Sequence, residues 1–331
     1  MTTLKVGAIE HPTSGSLATI NGMSPSNRNL VINGAMQVWQ RDTSFASDTV
    51  GGGRYTADRW NVPNRTRAAR STDAPAGFTY SLLIDREQTG GTEPFTVSTG
   101  IEVQDITQTG SYTLSFYAKS ADITTLNINV QDRTGVAEGG TNNSSIVTNE
   151  AVTIDNTWTR YTHTFTLSSV SFTGTSLRIS IGNTSAAQDD EALITGVQLE
   201  VGSVATSFEH RSYADELRRC QRYLGGIDTR GQGSNYHHFG VYTSDGTTGG
   251  MGNISFAVPM RQRATQVFTS AANKFWGYSC TGFTSIAYDQ AGVNSACVAL
   301  TGGSGGTAAG TAGRFLANDT TDAYILFEAE L

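Results

Sequence analysis

Apolar and polar residues alternate with a period of two along much of this chain. The alternation is clearest in YTLSFYAK (112–119), LNINV (126–130), WTRYTHTFTL (158–167), LRISI (177–181) and ALITGVQLE (192–200). Successive side chains of a strand point to opposite faces, so each stretch predicts a strand with one buried face. In the last stretch the alternation places Leu193, Val197 and Leu199 together. Gly-, Asn- and Thr-rich loops separate the stretches, which predicts an antiparallel sandwich.

A second group of β-like stretches follows Gly225. It comprises HHFGVY (237–242), ISFAVPM (254–260), TQVFTS (265–270), FTSIAY (283–288) and YILFEAEL (324–331). The loops between them are rich in glycine, and we interpret these loops as flexible connections. About 100 residues suffice for a small domain, so the sequence predicts a second β domain here.

One segment between the two groups has helical spacing. In SYADELRRCQRYL (212–224), Ser212 and Asp215 match a capping box, and Gly225 follows as a stop. The apolar residues form one narrow stripe, namely Tyr213, Leu217, Cys220 and Leu224. A helix this short is marginal alone in water, so its stripe must pack on something. Two alternatives are open: the stripe packs on its own sandwich, or it packs on symmetry mates and forms a neck between two β domains.

Four regions follow from these patterns. They are an N-terminal attachment arm (1–27), a β-sandwich (28–210), a linking helix (211–225) and a C-terminal β domain (226–331). Charged residues make up 15% of the chain, below the roughly 25% of an average soluble domain. The net charge of −7 argues against a dedicated nucleic-acid binder, which needs a basic face. Neither a signal peptide nor a membrane span is predicted, so we expect synthesis in a cytoplasm without membrane insertion.

Several strings resemble the tail-fibre and other virion structural proteins of tailed bacteriophages. They are NLVINGAMQVWQR (29–41), YTADRW (55–60), YTLSFYAKS (112–120), ITGVQLEVGSVATSFEHRSYADELRRCQRYL (194–224), FAVPMRQRATQV (256–267) and FEAEL (327–331). The resemblance implies a jelly roll similar to carbohydrate-binding modules and a homotrimeric fibre. It also implies a place in the virion, with the N-terminal arm bound to other virion proteins and the C-terminal domain as the outer tip.

The function expected from this resemblance is adhesion to a surface glycan or receptor of the host cell. One alternative is a capsid decoration or head-fibre protein with the same fold. Two others are a glycan-degrading enzyme of the tailspike type and a free, monomeric carbohydrate-binding module. The sequence contains no HExxH or paired CxxC motif, and we interpret the glycine-rich string GGSGG (302–306) as a flexible loop, so we expect no enzyme activity and no catalytic residue.

Candidate binding residues are aromatic side chains, because sugar rings stack on aromatic faces. The glycan-binding candidates are Tyr117, Tyr236, His237, Trp276 and Tyr278. Trp39, Trp60 and Trp158 fit the sandwich pattern and are predicted to lie in the core. Jelly-roll sugar binders often hold a structural Ca²⁺, for which Asp189, Asp190 and Glu200 are the candidate ligands. No other cofactor is expected.

Overall fold

The computed structural model describes residues 28–47, 53–86, 93–135, 140–231, 237–246, 248–277, 282–305, 308–318 and 320–330. The predicted arm, residues 1–27, lies outside the described residues. The described residues form two compact units, which divide between Glu216 and Leu217. The described residues are nearly all in strands and loops, and the predicted all-β class is confirmed.

The N-terminal unit is a jelly-roll sandwich of two antiparallel sheets. Its strands are β1 (Ser44–Phe45), β2 (Arg54–Tyr55), β3 (Asn61–Val62), β4 (Arg67–Ser71), β5 (Ser81–Asp85), β6 (Glu93–Glu102), β7 (Gly110–Lys119), β8 (Thr125–Thr134), β9 (Thr141–Thr153), β10 (Thr159–Leu167), β11 (Ser176–Ala186) and β12 (Glu191–Val201). Sheet I has the order β1-β4-β5-β12-β7-β10, and sheet II has the order β2-β3-β6-β11-β8-β9. A 3₁₀ turn, Val103–Asp105, follows β6.

The core between these sheets follows the alternation of the sequence. The apolar residues that alternate along β7, β8 and β11 are almost fully buried: Tyr112, Leu114, Phe116, Ala118, Leu126, Ile128, Val130, Leu177, Ile179 and Ile181. Trp60 also lies in the core, as predicted, and Trp39 packs against its edge. The core prediction is wrong for Trp158, which lies near the surface, where its Nε1 donates to Asp73 Oδ1 at 2.8 Å.

The face predicted for Leu193 is wrong. Leu193 pairs with Lys119 on the side of β12 away from the core, whereas Ile194, Val197 and Leu199 lie in the core. The cause is a bulge, because the register of β12 against β7 shifts between Thr195 and Gln198. An extra residue in one strand reverses the parity of every later side chain.

The outer face of sheet I, turned away from the core, is covered by the segment 202–211. Gln198 projects from β12 on this face, and its Oε1 accepts the Glu209 N–H at 2.8 Å. Glu200 accepts the Thr206 N–H at 2.9 Å and pairs with Arg28 at 3.7 Å. These bonds tie the segment to the sheet and account for the burial of Gln198 and Glu200.

The helix α1 spans Tyr213–Gln221, which is shorter than the predicted linking helix 211–225. The Ser212 Oγ accepts the Asp215 N–H at 3.2 Å and donates to the Asp215 carboxylate at 2.6 Å, so the predicted cap is present at its N-terminus. The helix ends before Leu224 because Leu224 begins a strand that pairs with the C-terminal segment of the chain. Gly225 therefore belongs to a strand and is not a helix stop.

The C-terminal unit consists of two further antiparallel sheets. Its strands are β13 (Leu224–Asp228), β14 (His238–Ser244), β15 (Gly250–Ser255), β16 (Gln266–Thr269), β17 (Phe275–Gly277), β18 (Ser285–Ala291), β19 (Ser295–Thr301), β20 (Ala312–Ala317) and β21 (Tyr324–Glu328). Sheet III has the order β13-β21-β16, and sheet IV has the order β17-β20-β14-β15-β19-β18. A 3₁₀ turn, Ala272–Lys274, precedes β17. Aromatic residues dominate the separate core of this unit, with Phe239, Phe275 and Phe315 in mutual contact. Among the described residues, no helix has the length and apolar character needed to cross a membrane.

Candidate functional site

The outer face of sheet II is built from polar residues that alternate with core residues. On β8, Asn129 and Gln131 point away from the core, and on β11, Arg178 and Ser180 do the same. The register places Arg178 beside Gln131 and Ser180 beside Asn129. The face is therefore a continuous polar surface across two neighbouring strands.

These side chains line a cleft of about 370 Å³, the polar cleft. Its lining residues come from β3, β6, β8, β9 and β11 and from the residue that follows β3: Asn61, Pro63, Thr96, Asn129, Gln131, Arg133, Asn149, Arg178, Ser180 and Thr184. Among these described lining residues there are carboxamides, hydroxyls and guanidinium groups, and neither an aromatic ring nor a carboxylate.

Asn61 is one of the lining residues whose buried donors lack a hydrogen-bond partner among the described residues. It is only 2% exposed, and it lies opposite Ser98 in the pairing of β3 with β6. Its Nδ2 is buried and has no hydrogen-bond partner among the described residues. A buried amide donor without an acceptor costs about 1–3 kcal/mol. Asn61 therefore adds an unsatisfied amide donor to the lining of the polar cleft.

Two guanidinium groups make the polar cleft electropositive. Arg178 Nη2 donates to Ser98 Oγ at 2.7 Å, which holds the long side chain across the sheet. Arg133 is 9% exposed, and its Nη2 donates to the Gly140 carbonyl. Burial lowers the pKa of Arg133, yet an arginine remains charged at neutral pH because its ordinary pKa is so high.

Asn129 is held in position by the neighbouring strand. Its Oδ1 accepts the Asn149 N–H at 2.8 Å, and Asn149 itself has the left-handed φ of 49°. This bond fixes the orientation of the amide, whose Nδ2 carries two further donor hydrogens. Fixed amide and guanidinium donors of this kind bind molecules that carry many acceptor oxygens, by hydrogen bonding and not by ring stacking.

Tyr117, a predicted glycan-binding residue, lies on the opposite sheet. It is half-buried on the outer face of sheet I, where its ring lies 5.3 Å from the Phe78 ring. Phe78 also contacts Phe208 and His210, with ring centroids 5.0 Å away in both cases. Tyr117 therefore belongs to an aromatic cluster that fixes the covering segment 202–211 to sheet I, and it is not part of the polar cleft.

Of the four glycan-binding candidates predicted in the C-terminal unit, two lie among the described residues. Trp276 lies in β17 and His237 directly precedes β14, the two strands on either side of β20, and both side chains are half-buried. The Arg314 guanidinium lies 5.8 Å from the Trp276 ring centroid. His237 accepts the Ala317 N–H through its carbonyl at 2.8 Å, and its Nε2 is a buried atom without a partner among the described residues. Tyr236 and Tyr278 lie outside the described residues.

The three predicted calcium ligands do not come together. Asp189 and Asp190 precede β12, whereas Glu200 lies near its other end, about 30 Å away at the usual rise of a strand. Asp190 Oδ2 accepts the Ala187 N–H at 2.6 Å, and Glu200 is engaged by Thr206 and Arg28. Among the described residues, no group of three or more His, Cys, Asp or Glu side chains is arranged to hold a metal ion.

The predicted neck is corrected at two of its four residues. Cys220 is fully buried and Leu224 is 1% exposed, and both are buried by their own chain. These two side chains are therefore not available to a seam between subunits. Leu217 is half-buried, and Tyr213 is 57% exposed.

The polar cleft was missed by the sequence prediction, although the sequence carries a signal for it. Asn127, Asn129 and Gln131 alternate with the apolar residues of LNINV, and amides on one face of a strand are an uncommon choice for a plain solvent surface. The prediction favoured aromatic rings. Only the pairing of β3, β6, β8 and β11 brings Asn61, Asn129 and Arg178 into one cleft.

The comparison with protein families bears directly on the polar cleft. Residues 59–187 match the family model described as a carbohydrate binding domain (CBM_4_9). This range is shorter than half of the chain, and it contains every lining residue of the polar cleft. No curated protein matches the chain. The jelly roll of the N-terminal unit is thus similar, over residues 59–187, to a carbohydrate binding domain.

Solved structures similar to this chain include sugar-binding modules and a phage protein. The CBM22-1 xylan-binding domain of Xyn10C from Paenibacillus barcinonensis is 18% identical, with a TM-score of 0.32, and the match covers 48% of this chain and 98% of that domain. A putative sugar binding protein from Bacteroides thetaiotaomicron is 15% identical, with a TM-score of 0.34 and coverage of 52% and 99%. The enzymatically active domain of tailspike protein 4 from bacteriophage CBA120 is 15% identical, with a TM-score of 0.33 and coverage of 52% and 21%.

Proposed function

We propose that this protein is a non-enzymatic glycan-binding protein and that its ligand occupies the polar cleft on sheet II. The observation that carries the proposal is the unpartnered, buried Nδ2 of Asn61 beside the fixed donors of Asn129 and Arg178. A sugar offers many hydroxyl and ring oxygens that accept hydrogen bonds from such donors. The match to a carbohydrate binding domain over residues 59–187 supports the same class of ligand.

Binding without cleavage is the activity that suits this lining. Hydrolysis of a glycosidic bond uses a pair of carboxyl groups on either side of the bond. The described lining of the polar cleft supplies amides, hydroxyls and guanidinium groups in their place. These groups orient a sugar and hold it, and they provide neither the acid nor the nucleophile of that reaction.

Calorimetric titration with neutral oligosaccharides tests the proposal. The panel contains cello-, xylo- and galacto-oligosaccharides, and the variants are Asn129→Ala and Arg178→Gln. Each variant removes donors worth about 1 kcal/mol or more, so we expect binding to weaken about tenfold. Arg218→Gln, the same change at an exposed position of helix α1, is the control and should bind normally. Equal affinity of all variants, or no binding of any oligosaccharide, would refute the proposal.

The setting that we propose for this activity is a phage particle, with the protein as a homotrimeric tail fibre. The strings that resemble phage virion proteins support this setting. Residues 1–27 would bind other virion proteins, and the glycan sites would contact the host cell. Three copies on one fibre raise the effective concentration of weak sites, so adhesion needs no tight single site.

Two measurements test this setting. Sedimentation of the purified chain at micromolar concentration should give a trimer, and Leu217→Asp should weaken association if the half-buried Leu217 contacts a second copy. A monomer would contradict the fibre. Immunogold labelling of intact particles should mark the tail, whereas label on the head would favour a capsid decoration protein.

A further inference from the structure

A second cleft lies in the N-terminal unit, and its lining differs in kind from that of the polar cleft. It has a volume of about 450 Å³ and contains three aromatic side chains, a guanidinium group, a carboxamide and a hydroxyl. The lining residues of this aromatic cleft are Gln37, Trp39, Arg70, Thr79, Tyr80 and Tyr213. None of them belongs to the polar cleft, and no function proposed above uses them.

The loop that carries Gln37 and Trp39 is rigid. Asn33 is fully buried in the left-handed conformation, with φ of 57°, and its Oδ1 accepts the N–H groups of Gln37 and Val38 at 2.9 and 3.0 Å. Trp39 Nε1 donates to the Met36 carbonyl at 2.7 Å. Trp39 is half-buried: its ring stacks on the Phe45 ring, with centroids 6.5 Å apart, and it also lines the aromatic cleft.

Helix α1 is attached to the same loop and positions Tyr213. The Glu216 Oε1 accepts the Asn33 N–H at 2.6 Å, and Glu216 lies one turn after Tyr213. The start of the helix is fixed independently by the bond between Ser212 and Asp215. Tyr213 is 57% exposed although it is held on an anchored helix, so a large aromatic surface faces solvent in a fixed place.

Arg70 supplies an uncompensated positive charge. Its guanidinium lies 4.6 Å from the centroid of the Tyr80 ring, and no carboxylate of the described residues forms an ion pair with it. This is unusual in a chain with a net charge of −7. A guanidinium stacked on a ring keeps its planar donors free, and these donors match a carboxylate in a bidentate geometry.

We propose that the aromatic cleft is a second glycan site that selects an acidic sugar, a uronate. A pyranose ring would pack on Trp39 and Tyr213, its carboxylate would pair with Arg70, and Gln37 and Thr79 would bond to its hydroxyls. The inference takes its ligand class from the proposed function, but it assigns a different site and a different chemistry. Two sites of unlike specificity on one unit would let the protein recognise a heteropolysaccharide that contains neutral and acidic residues.

The test uses two oligosaccharides that differ only at C6. The probes are a β-1,4-linked glucuronate hexamer and cellohexaose, titrated into the full chain and into the variants Arg70→Gln, Arg70→Lys and Tyr213→Ala. Arg70 and Tyr213 are exposed, so the variants should fold, and thermal unfolding checks this. We expect Arg70→Gln and Tyr213→Ala to weaken binding of the glucuronate hexamer at least tenfold. Arg70→Lys should recover part of the affinity, because it keeps the charge and loses the bidentate geometry.

Each contrary outcome has a defined meaning. The inference is wrong if the glucuronate hexamer does not bind, if it binds equally to all three variants, or if Arg178→Gln is the variant that abolishes its binding. It is also wrong if Tyr213→Ala changes the sedimentation coefficient, because the cleft would then be an interface between copies of the chain. Failure of the proposed function is a separate result: the affinity for neutral oligosaccharides would be unchanged by Asn129→Ala and Arg178→Gln.

Discussion

Glu191, at the start of β12, faces two other acidic side chains. It lies directly opposite Asp85 in the register of β12 with β5, and its N–H donates to Asp122 Oδ2 at 3.2 Å. Burial raises the pKa of Glu191, and the nearby charges of Asp122 and Asp85 raise it further. Arg67 and Lys119 oppose the shift but do not cancel it. Like charges opposite one another in a sheet are destabilising, so the residue is a point of electrostatic strain.

Substitution of Glu191 by Gln should therefore stabilise the protein at neutral pH. A raised pKa means that the folded state holds the proton more tightly than the unfolded chain does, so stability falls as pH rises through the folded pKa. Because Gln cannot ionise, we expect the melting temperature of the Glu191→Gln variant at pH 7 to exceed that of the parent protein by about 1–2 °C. The gain should vanish below about pH 4, where the parent carboxyl is protonated in both states. Thermal unfolding at several pH values measures this, and a gain that persists in acid would contradict the account.

At the scale of a single element, strand β12 depends on its bulge. Gly196 has φ of 62°, and a Cβ at this position would approach Phe78 Cζ to 2.7 Å and Tyr117 Cδ2 to 2.8 Å. The bulge thus combines a left-handed backbone with close contact to the aromatic cluster on the outer face of sheet I. It also sets the register by which Val197 and Leu199 enter the core.

Gly196→Ala should lower the free energy of unfolding by about 2–3 kcal/mol, because a left-handed alanine costs about 1 kcal/mol and the collision with two rings adds to it. Gly77→Ala is the matched control. Gly77 has φ of 93°, and the nearest atom to an added Cβ is His210 Nε2 at 3.9 Å, so only the backbone cost applies. Urea denaturation of both variants separates the two effects. Equal destabilisation would show that the contact with the rings is unimportant.

At the scale of the whole chain, the two compact units have separate hydrophobic cores. Leu126 is fully buried in the core of the sandwich, and Leu300 is fully buried in the core of the C-terminal unit. Each core is assembled from residues of its own part of the chain, on either side of the boundary at Glu216 and Leu217. A single domain with one hydrophobic core usually unfolds in one cooperative transition. A chain with two separate cores can therefore unfold in two transitions.

We expect two calorimetric transitions for the full chain. Leu126→Ala and Leu300→Ala make the same chemical change in the two cores, and each should cost about 2–5 kcal/mol in its own unit. Leu126→Ala should lower the temperature of one transition, and Leu300→Ala should lower that of the other. A single transition that moves equally with both substitutions would show that the two units unfold together.

The sequence determined the β class of this protein and most of its core, because alternation is a local property. Leu126, Ile128 and Val130 alternate with polar residues, so they share one face of β8, and that face is buried. The same alternation failed at Leu193, because the bulge at Gly196 changes the parity and a bulge depends on the neighbouring strand. It also failed at Trp158, whose apolar ring lies near the surface beside Asp73 and Lys119. The predicted helix was found, but pairing with β21 turned its last residues into strand β13.

Both candidate sites depended on the tertiary structure. Asn61, Asn129 and Arg178 are far apart in the sequence, and the register of three strand pairings joins them in the polar cleft. Trp39 and Tyr213 meet in the aromatic cleft because a hydrogen bond from Asn33 to Glu216 connects the N-terminal loop to the helix. The period and polarity of the sequence, which are local properties, determine which side chains point away from the core. Which of them become neighbours follows from long-range strand pairing, which no local pattern encodes.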